Sequence, residues 1–214
     1  MLLSKVELAA GAGRTEAFWK QVRSGYTVHQ LVWSWFAGEP DARRDFLYRH
    51  EEDKGPGCFF VLSAREPRDP TGLWRIASKP FAPKLKAGER LRFSLRANPT
   101  VKRDGKRHDV VMDARWKARQ AEGERQREVE QPCLDWLEAR GERCRFGFER
   151  DEVRVEAYRQ ERFGGRGARN IRVSVVDFEG ILTVRDPAAF IAALERGIGP
   201  AKGFGCGLML VKRL

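Results

Sequence analysis

The most regular alternation of apolar and polar positions runs from Arg90 to Ala97. The positions alternate as Leu91, Phe93, Leu95 and Ala97 against Arg90, Arg92, Ser94 and Arg96. A period of two predicts a β-strand, because successive side chains of a strand point to opposite faces of the sheet. We therefore expect one face of this strand in a core and the other face displaying arginine.

Shorter apolar stretches predict the remaining strands. They lie at Leu2–Ala10, Phe46–His50, Cys58–Ala64, Cys144–Phe148, Val153–Tyr158 and Leu208–Lys212, with two more between Val173 and Val184. Residues 14–24, 114–141 and 187–196 favour helices, the second of them divided by Gly123 and Pro132. Thr27 to Gln30 has the pattern of a capping box, which predicts a helix with Thr27 as its N-cap.

The order of these elements predicts an α+β fold. Each half of the chain can be written as strand, helix, two strands, helix or loop, and strand. That order is typical of two tandem ferredoxin-like (RRM-like) domains. We assign residues 1–97 to an N-terminal domain that carries the helix with His29. Residues 98–112 are assigned to a basic linker, and residues 113–214 to a C-terminal domain.

The charge of the chain predicts a polyanionic partner. The formal net charge is +11, which favours nucleic acid first and an anionic membrane surface second. Residues 84–107 hold nine basic and two acidic residues. Residues 159–172 hold five arginines and one glutamate around two glycines, although a solvated turn is the usual fate of such a charge run. The predicted RNA contacts in these stretches are Arg96, Lys102, Arg103, Lys106, Arg107, Arg159, Arg162, Arg166 and Arg169.

Cysteine and histidine spacing predicts neither a metal site nor a cofactor. The four cysteines form no C-x-x-C pair, and the three histidines are far apart in the sequence. The first ten residues contain Lys5 and Glu7, so they lack the apolar core of an export signal, and no apolar run approaches 18 residues. We expect a cytoplasmic protein with reduced thiols and no membrane partner.

Glycine is concentrated in residues 195–211, with the sequence ERGIGPAKGFGCGLMLV. Such a turn can direct several N–H groups at a phosphate with Lys202 beside them, so Gly199, Lys202, Gly203 and Gly205 are predicted to bind RNA. The dinucleotide and phosphate-loop fingerprints both fail on spacing, which disfavours a nucleotide-binding enzyme. A close backbone approach between two packed elements explains the glycines equally well.

His29 is the candidate catalytic residue. With Thr27 as N-cap, His29 lies in the first turn of its helix, where free N–H groups attract an anion and the helix dipole disfavours imidazolium. Tyr26 lies three residues earlier and can face the same site. If the substrate is RNA, its own 2′-hydroxyl supplies the nucleophile, and a proton-transfer group then suffices. Alternatively, Tyr26 packs on Leu31 as a hydrophobic staple and His29 lies against Trp33.

Three segments together resemble one known family. They are Tyr26-x-x-His29, the stretch KPFAPKLKAGERLRFSLRANPTVKRDGKR at residues 79–107, and the closing GIGPAKGFGCGLMLV at residues 197–211. They are similar to the CasE family of CRISPR repeat-processing endoribonucleases. The resemblance implies a tandem ferredoxin-like fold that binds the CRISPR repeat hairpin and cleaves pre-crRNA at the 3′ base of the stem.

The resemblance also implies details of the reaction and of the partners. Cleavage would need no metal and would leave a 2′,3′-cyclic phosphate. The protein would keep the crRNA and remain in the type I-E Cascade complex, in contact with other subunits, chiefly the backbone subunit. The alternative is a non-catalytic subunit that only binds an RNA hairpin.

Individual residues can be matched to the family pattern. His29 matches the catalytic histidine and Tyr26 its partner, and residues 159–169 match a basic hairpin that enters the RNA groove. Residues 197–207 match the family's glycine-rich loop. Some members carry basic residues where this chain has Gln30 and Ser34. The cation near the scissile phosphate would then be Lys20, Arg23 or Lys202.

Overall fold

The computed structural model describes residues 1–11, 16, 18, 25–36, 44–51, 57–120, 129–163 and 171–214. Residues 25, 26, 118–120, 162 and 163 are described for the backbone only. The predicted helix at residues 14–24 lies almost entirely outside this part of the chain. None of the described helices is both long enough and apolar enough to cross a membrane.

The described part of the chain forms eleven β-strands and four α-helices. In order they are β1 (Leu2–Leu8), α1 (Gly25–Ser34), β2 (Phe46–His50), β3 (Cys58–Ser63), β4 (Trp74–Pro80), β5 (Arg90–Ala97), β6 (Thr100–Arg103), β7 (Lys106–Asp109), α2 (Val110–Gln120), α3 (Glu130–Cys144), β8 (Phe146–Gly147), β9 (Val153–Phe163), β10 (Ile171–Val184), α4 (Pro187–Arg196) and β11 (Met209–Arg213). Single 3₁₀ turns precede β9 and β11.

The N-terminal sheet is antiparallel and has the strand order β2-β3-β1-β4. Helix α1 buries the apolar face that its spacing predicts, formed by Val28, Leu31, Val32 and Trp35. That face packs in one core with residues of β1 and β3. Residues 64–73 connect β3 to β4 without a helix. This order of strands is the ferredoxin-like order.

The C-terminal sheet repeats that arrangement. Its strand order is β11-β5-β10, and both β8 and β9 pair with β10. Helices α3 and α4 contribute Leu137, Phe190 and Leu194 to its core. The chain is therefore an α+β protein with two tandem ferredoxin-like units, as predicted.

The pairing of β5 differs from the predicted division of the chain. We assigned residues 1–97 to the N-terminal domain, but β5 pairs with β10 and β11 and buries Leu91, Phe93 and Leu95 in the C-terminal core. Residues 98–112, assigned to a linker, form the hairpin β6–β7 and the beginning of α2. An alternating pattern shows which face of a strand is buried, but it does not show which sheet the strand joins.

Arg96 connects the two sheets. Its guanidinium donates two hydrogen bonds to Asp177 of β10, at 2.8 and 3.2 Å, and a third to the backbone carbonyl of His50 in β2 at 3.1 Å. Arg96 is 8% exposed. Burial alone would raise the pKa of Asp177, but the hydrogen bonds and charges of Arg96 and Arg159 hold that pKa below its ordinary value. Arg96 is thus a structural residue, and the predicted RNA contact is not available to it in this arrangement.

We predict that Arg96→Met destabilises the protein by about 3 kcal/mol, because it leaves a buried carboxylate without its main partner. The measurement is the free energy of unfolding in urea at pH 7. Arg92→Met on the same strand is the matched control, since Arg92 is exposed, and its change should stay within about 0.5 kcal/mol. Equal effects of the two substitutions would contradict the structural role of Arg96.

Candidate active site

His29 lies within α1 and not in the first turn that we predicted. The described helix begins at Gly25, two residues before Thr27, so Thr27 is a helical residue and not the N-cap. A helix dipole acts mainly within the first turn, and therefore the predicted dipole effect does not explain the state of His29. The side chain of His29 is half-buried and faces the glycine-rich loop.

The carbonyl oxygen of Gly203 holds His29 in place. His29 Nδ1 lies 2.6 Å from this oxygen, and the hydroxyl of Tyr48 donates to the same oxygen at 3.0 Å. A carbonyl can only accept a hydrogen bond, so the proton of the neutral imidazole is on Nδ1. Nε2 then carries the lone pair and can accept a proton from a substrate.

Aromatic rings surround the imidazole. Phe204 stacks on it with a centroid distance of 6.2 Å and an interplanar angle of 30°. Trp33 meets it edge-on at 6.2 Å, as the alternative interpretation of His29 predicted. Burial among these groups lowers the pKa of His29 below 6.5; the bond to Gly203 opposes this shift, and the charge of Arg44 adds to it. His29 is therefore neutral at physiological pH.

Arg44 is the cation that the structure places beside His29. A Cβ on Gly203 would lie 3.0 Å from Nη1 of Arg44 and 3.6 Å from Cε1 of His29, so the three residues meet. Arg44 is exposed, and no carboxylate of the described residues acts on its pKa. A substrate phosphate at this point would meet an arginine without an acidic partner.

The side chain of Lys202 binds the C-terminal end of α4. Its ammonium donates to the carbonyl of Arg196, the last residue of α4, at 2.6 Å. Burial first, and then the charges of Arg44 and Arg196, lower the pKa of Lys202. Arg44 and Arg196 therefore both lie close enough to Lys202 for their charges to act on it.

The glycines of the loop allow close packing. A Cβ on Gly199 would lie 3.0 Å from the ring of Trp136, and one on Gly205 would lie 3.3 Å from the ring of Tyr48. Gly205 also has a φ of +76°, which favours glycine. Close backbone approach, the alternative left open by the sequence, thus explains both positions, and the group aimed at His29 is a carbonyl.

Comparison with known proteins identifies the family. A model of the family described as CRISPR associated protein matches residues 1–213. The chain is 35% identical over 214 residues to the CRISPR system Cascade subunit CasE of Escherichia coli (strain K12), and the match covers 98% of each chain. The chain belongs to the CasE family of CRISPR-associated proteins.

Two further comparisons concern Thermus thermophilus. The CRISPR-associated endoribonuclease Cse3 of this organism is 34% identical over 179 residues, which cover 80% of this chain and 81% of the relative. The structure of Cse3 bound to an RNA representing a pre-cleavage complex matches with a TM-score of 0.76 at 28% identity. That structural match covers 99% of this chain and 98% of the other.

Several predicted residues of this CasE-family chain lie outside the described part. Arg166 and Arg169 fall in residues 164–170, and the side chains of Tyr26 and Arg162 are not described. Lys20 and Arg23, two candidate cations, fall outside as well. Their predicted roles stay predictions.

The described basic residues divide into paired and exposed ones. Arg159 binds Asp177 at 3.0 Å, and Arg103 binds Asp113 at 2.9 Å while its guanidinium lies 4.1 Å from the ring centroid of Trp116. Lys102, Lys106 and Arg107 are exposed on the hairpin β6–β7. In this CasE-family chain the hairpin therefore retains three side chains that can reach RNA.

Sequence reasoning missed Arg44, Tyr48 and Phe204. Arg43-Arg44 directly precedes a predicted strand, so a cation pair at a strand end was the available signal for Arg44. Strand β2 is buried at its first four positions and shows no alternation, so the sequence gives no sign that Tyr48 turns toward the loop. Gln30 is exposed, and Ser34 donates to the carbonyl of Leu31 at 2.7 Å.

The first prediction for this site concerns the pKa of His29. We expect a value below 6.5 in the free protein, and we expect Arg44→Gln to raise it, because removing a nearby positive charge favours imidazolium. The measurement is an NMR titration of the ring protons. Lys79→Gln, an exposed change in β4, should leave the value unchanged, and a wild-type pKa above 6.5 would refute the assignment.

The second prediction compares two glycines of the loop. Gly205→Ala should cost about 1–2 kcal/mol of folding free energy, because alanine is strained at positive φ and its Cβ would crowd Tyr48. Gly203→Ala should cost less than about 0.5 kcal/mol, because its Cβ meets only the movable end of Arg44 at close range. Thermal and urea unfolding check both values, and a reversed order would contradict the packing described.

Proposed function

We propose that this chain is an endoribonuclease that binds the hairpin of a CRISPR repeat and cleaves pre-crRNA at the 3′ base of the stem. The observation that carries the proposal is the bond between His29 Nδ1 and the Gly203 carbonyl, which leaves the Nε2 lone pair for a substrate. The relatives described as CasE and Cse3 support the same substrate class. The reaction needs a basic imidazole beside a phosphate.

The first step is proton transfer from the 2′-hydroxyl of the RNA to Nε2 of His29. The 2′-oxygen then attacks the adjacent phosphorus, and the bond from phosphorus to the 5′-oxygen breaks. The products are a 2′,3′-cyclic phosphate and a 5′-hydroxyl. Because the nucleophile belongs to the substrate, no metal is required to generate it, and a well-placed base contributes roughly 10²- to 10⁴-fold.

Cations beside His29 stabilise the charge that develops on the phosphate. Arg44 is one such cation, since Arg44 and the imidazole both lie against Gly203. Lys202 strengthens the same positive field while it is bound to the end of α4. Arginine binds two phosphate oxygens at once, so Arg44 replaces the basic residues that other family members carry at the positions of Gln30 and Ser34.

Tyr26 and Tyr48 have different roles in this proposal. Tyr48 is a positioning residue, because its hydroxyl donates to the carbonyl that holds His29. Burial raises the pKa of Tyr48, so its phenol stays protonated and remains a donor. Tyr26 lies one helical turn before His29, and its phenol donates the proton that the leaving 5′-oxygen takes up to become the 5′-hydroxyl.

The RNA is held by basic side chains outside the reacting centre. Lys102 and Lys106 on β6–β7 contact phosphates of the stem. The predicted contacts Arg162, Arg166 and Arg169 do the same. After cleavage the chain keeps the crRNA and remains with it as a Cascade subunit. The relative named CasE is a Cascade subunit, which supports this retention.

The test uses His29→Ala with a cognate repeat hairpin. We expect cleavage to fall at least about 100-fold, while the dissociation constant for uncleavable hairpin RNA carrying a 2′-deoxy at the scissile position changes less than about threefold. Wild-type protein should cleave in EDTA, and the 5′ fragment should carry a cyclic phosphate, as judged by mass spectrometry.

A matched control separates catalysis from folding. His108→Ala removes a histidine of strand β7 and should leave the cleavage rate unchanged. If the His29 variant cleaves at the wild-type rate, the catalytic assignment fails. If the wild-type protein binds the hairpin and never cleaves it, the chain is a non-catalytic RNA-binding subunit.

A further inference from the structure

A second basic site borders the glycine-rich loop away from His29. Residues of the hairpin β6–β7 and of helices α2 and α3 line an open groove of about 1110 Å³, which we call the α2–α3 groove. Its polar lining consists of Thr100, Lys102, Arg107, Asp113, Lys117, Gln131, Asp135, Trp136, Arg140 and Arg143. None of the catalytic groups described above lines it.

The groove has an excess of positive charge. Five of the lining residues are basic and two are acidic. Both acids are already paired, Asp113 with Arg103 and Lys117 at 2.9 Å each, and Asp135 with Arg150 at 2.8 Å. The remaining cations therefore have no carboxylate partner in the part of the chain that the structure describes.

Three of these cations lie close together. Burial lowers the pKa of Arg140 first, and the charges of Arg143 and Arg107 lower it further. Arginines that repel one another without an acid between them are stabilised by a bound anion. Arg143 and Arg107 are exposed, whereas Arg140 is half-buried with its guanidinium 5.0 Å from the ring centroid of Trp136.

Two residues of the groove lining, Trp136 and Arg140, also contain buried donors. The Nε1 of Trp136 and the Nε of Arg140 are buried, and neither has a hydrogen-bond acceptor among the described residues. Trp136 is 6% exposed and packs on Phe178 with its other face. Buried donors are normally satisfied, so this pair indicates an acceptor that the described chain does not supply.

One residue of the groove lining contacts the glycine-rich loop. Trp136 touches the glycine-rich loop, since a Cβ on Gly199 would lie 3.0 Å from its ring. Burial raises the pKa of the Cys144 thiol, and the charges of Arg140, Arg196, Arg143 and Lys202 oppose that rise. Through Trp136 the groove therefore borders the loop that carries Gly203 beside His29.

The size and rim of the groove suit a flexible chain. A volume near 1110 Å³ exceeds what one phosphate fills and lies at the upper end of small-ligand pockets. Trp116, 49% exposed on α2, is stacked with Arg103 near this surface and offers an aromatic face to an unpaired base. A basic groove with an aromatic platform is typical of single-stranded nucleic acid sites.

We propose that the α2–α3 groove binds phosphates of a single-stranded RNA segment that flanks the repeat hairpin, through Arg107, Arg140 and Arg143. This inference rests on the proposed function for its RNA. An acidic segment of a neighbouring protein would also match the charge. The contact of Trp136 with the glycine-rich loop and the exposed aromatic side chain of Trp116 favour RNA.

The test compares three RNAs that all carry 2′-deoxy at the scissile position: the bare hairpin, the hairpin with a 5′ flank and the hairpin with a 3′ flank. For the wild-type protein one flank should tighten binding about tenfold. Arg140→Gln/Arg143→Gln should abolish that gain and leave binding of the bare hairpin unchanged. For the flanked RNA, the slope of log K against log salt should become about 1.4 less negative, as expected when two phosphate contacts on a single strand are lost.

Two controls keep the result interpretable. Arg143→Gln alone changes an exposed residue, so it avoids any folding defect from loss of the Arg140–Trp136 contact. It should make the slope about 0.7 less negative. Arg68→Gln/Lys79→Gln removes the same charge from exposed positions near the N-terminal sheet and should leave the flank effect intact.

The outcomes separate this inference from the proposed function. Cleavage of the bare hairpin by the groove variant at the wild-type rate, together with loss of the flank effect, supports both. No gain from either flank in the wild-type protein overturns the groove assignment and leaves the nuclease proposal standing. If the groove variant keeps the flank effect but no longer joins the other Cascade subunits, the groove is a protein interface and the RNA assignment is wrong.

Discussion

The candidate site depends on one acceptor, the carbonyl oxygen of Gly203. Two donors from separate elements meet there, the imidazole of His29 from α1 and the phenol of Tyr48 from β2. Their bonds fix the tautomer of the histidine and the position of the loop at the same time. A rotation of this peptide would release both side chains, so the chemistry of His29 and the packing of the loop are one constraint.

The two ferredoxin-like units are joined around that constraint. Arg96 links β5 and β10 to the carbonyl of His50, two residues after Tyr48 in the same strand. Leu47, Leu62 and Leu208 form a small apolar cluster that contains residues of both units. The strand that presents Tyr48 is thereby held against the unit that supplies Gly203. A catalytic geometry divided between two units needs such a fixed junction.

A second feature of the described chain is a set of cations without a carboxylate partner. Several carboxylates of the described chain are engaged by arginine or lysine, as Asp113 and Asp177 are. Arg44 near His29 and Arg140 and Arg143 in the α2–α3 groove have no such partner among the described residues. Such positions favour the binding of a polyanion, because it supplies the missing partner charge.

The sequence alone determined what depends on local pattern. Strand β5, the buried face of α1 and the succession of strands and helices followed from periodicity, and His29 and the glycine-rich loop were found from residue type and spacing. The predicted start of α1 at Thr27 was wrong. The helix includes Gly25, so the capping-box pattern at Thr27 lies inside the helix and does not begin it. The assignment of β5 to the N-terminal domain was wrong as well, because β5 pairs with β10 and β11.

Tertiary structure decided which distant residues meet. Arg44 and Tyr48 reach His29 only because α1 and β2 both pack against a loop about 155 residues further along the chain than Tyr48. The clustering of Arg107, Arg140 and Arg143 likewise comes from the docking of a hairpin on two helices. Periodicity reports which face of an element is buried, whereas partners between elements depend on long-range packing that no local pattern encodes.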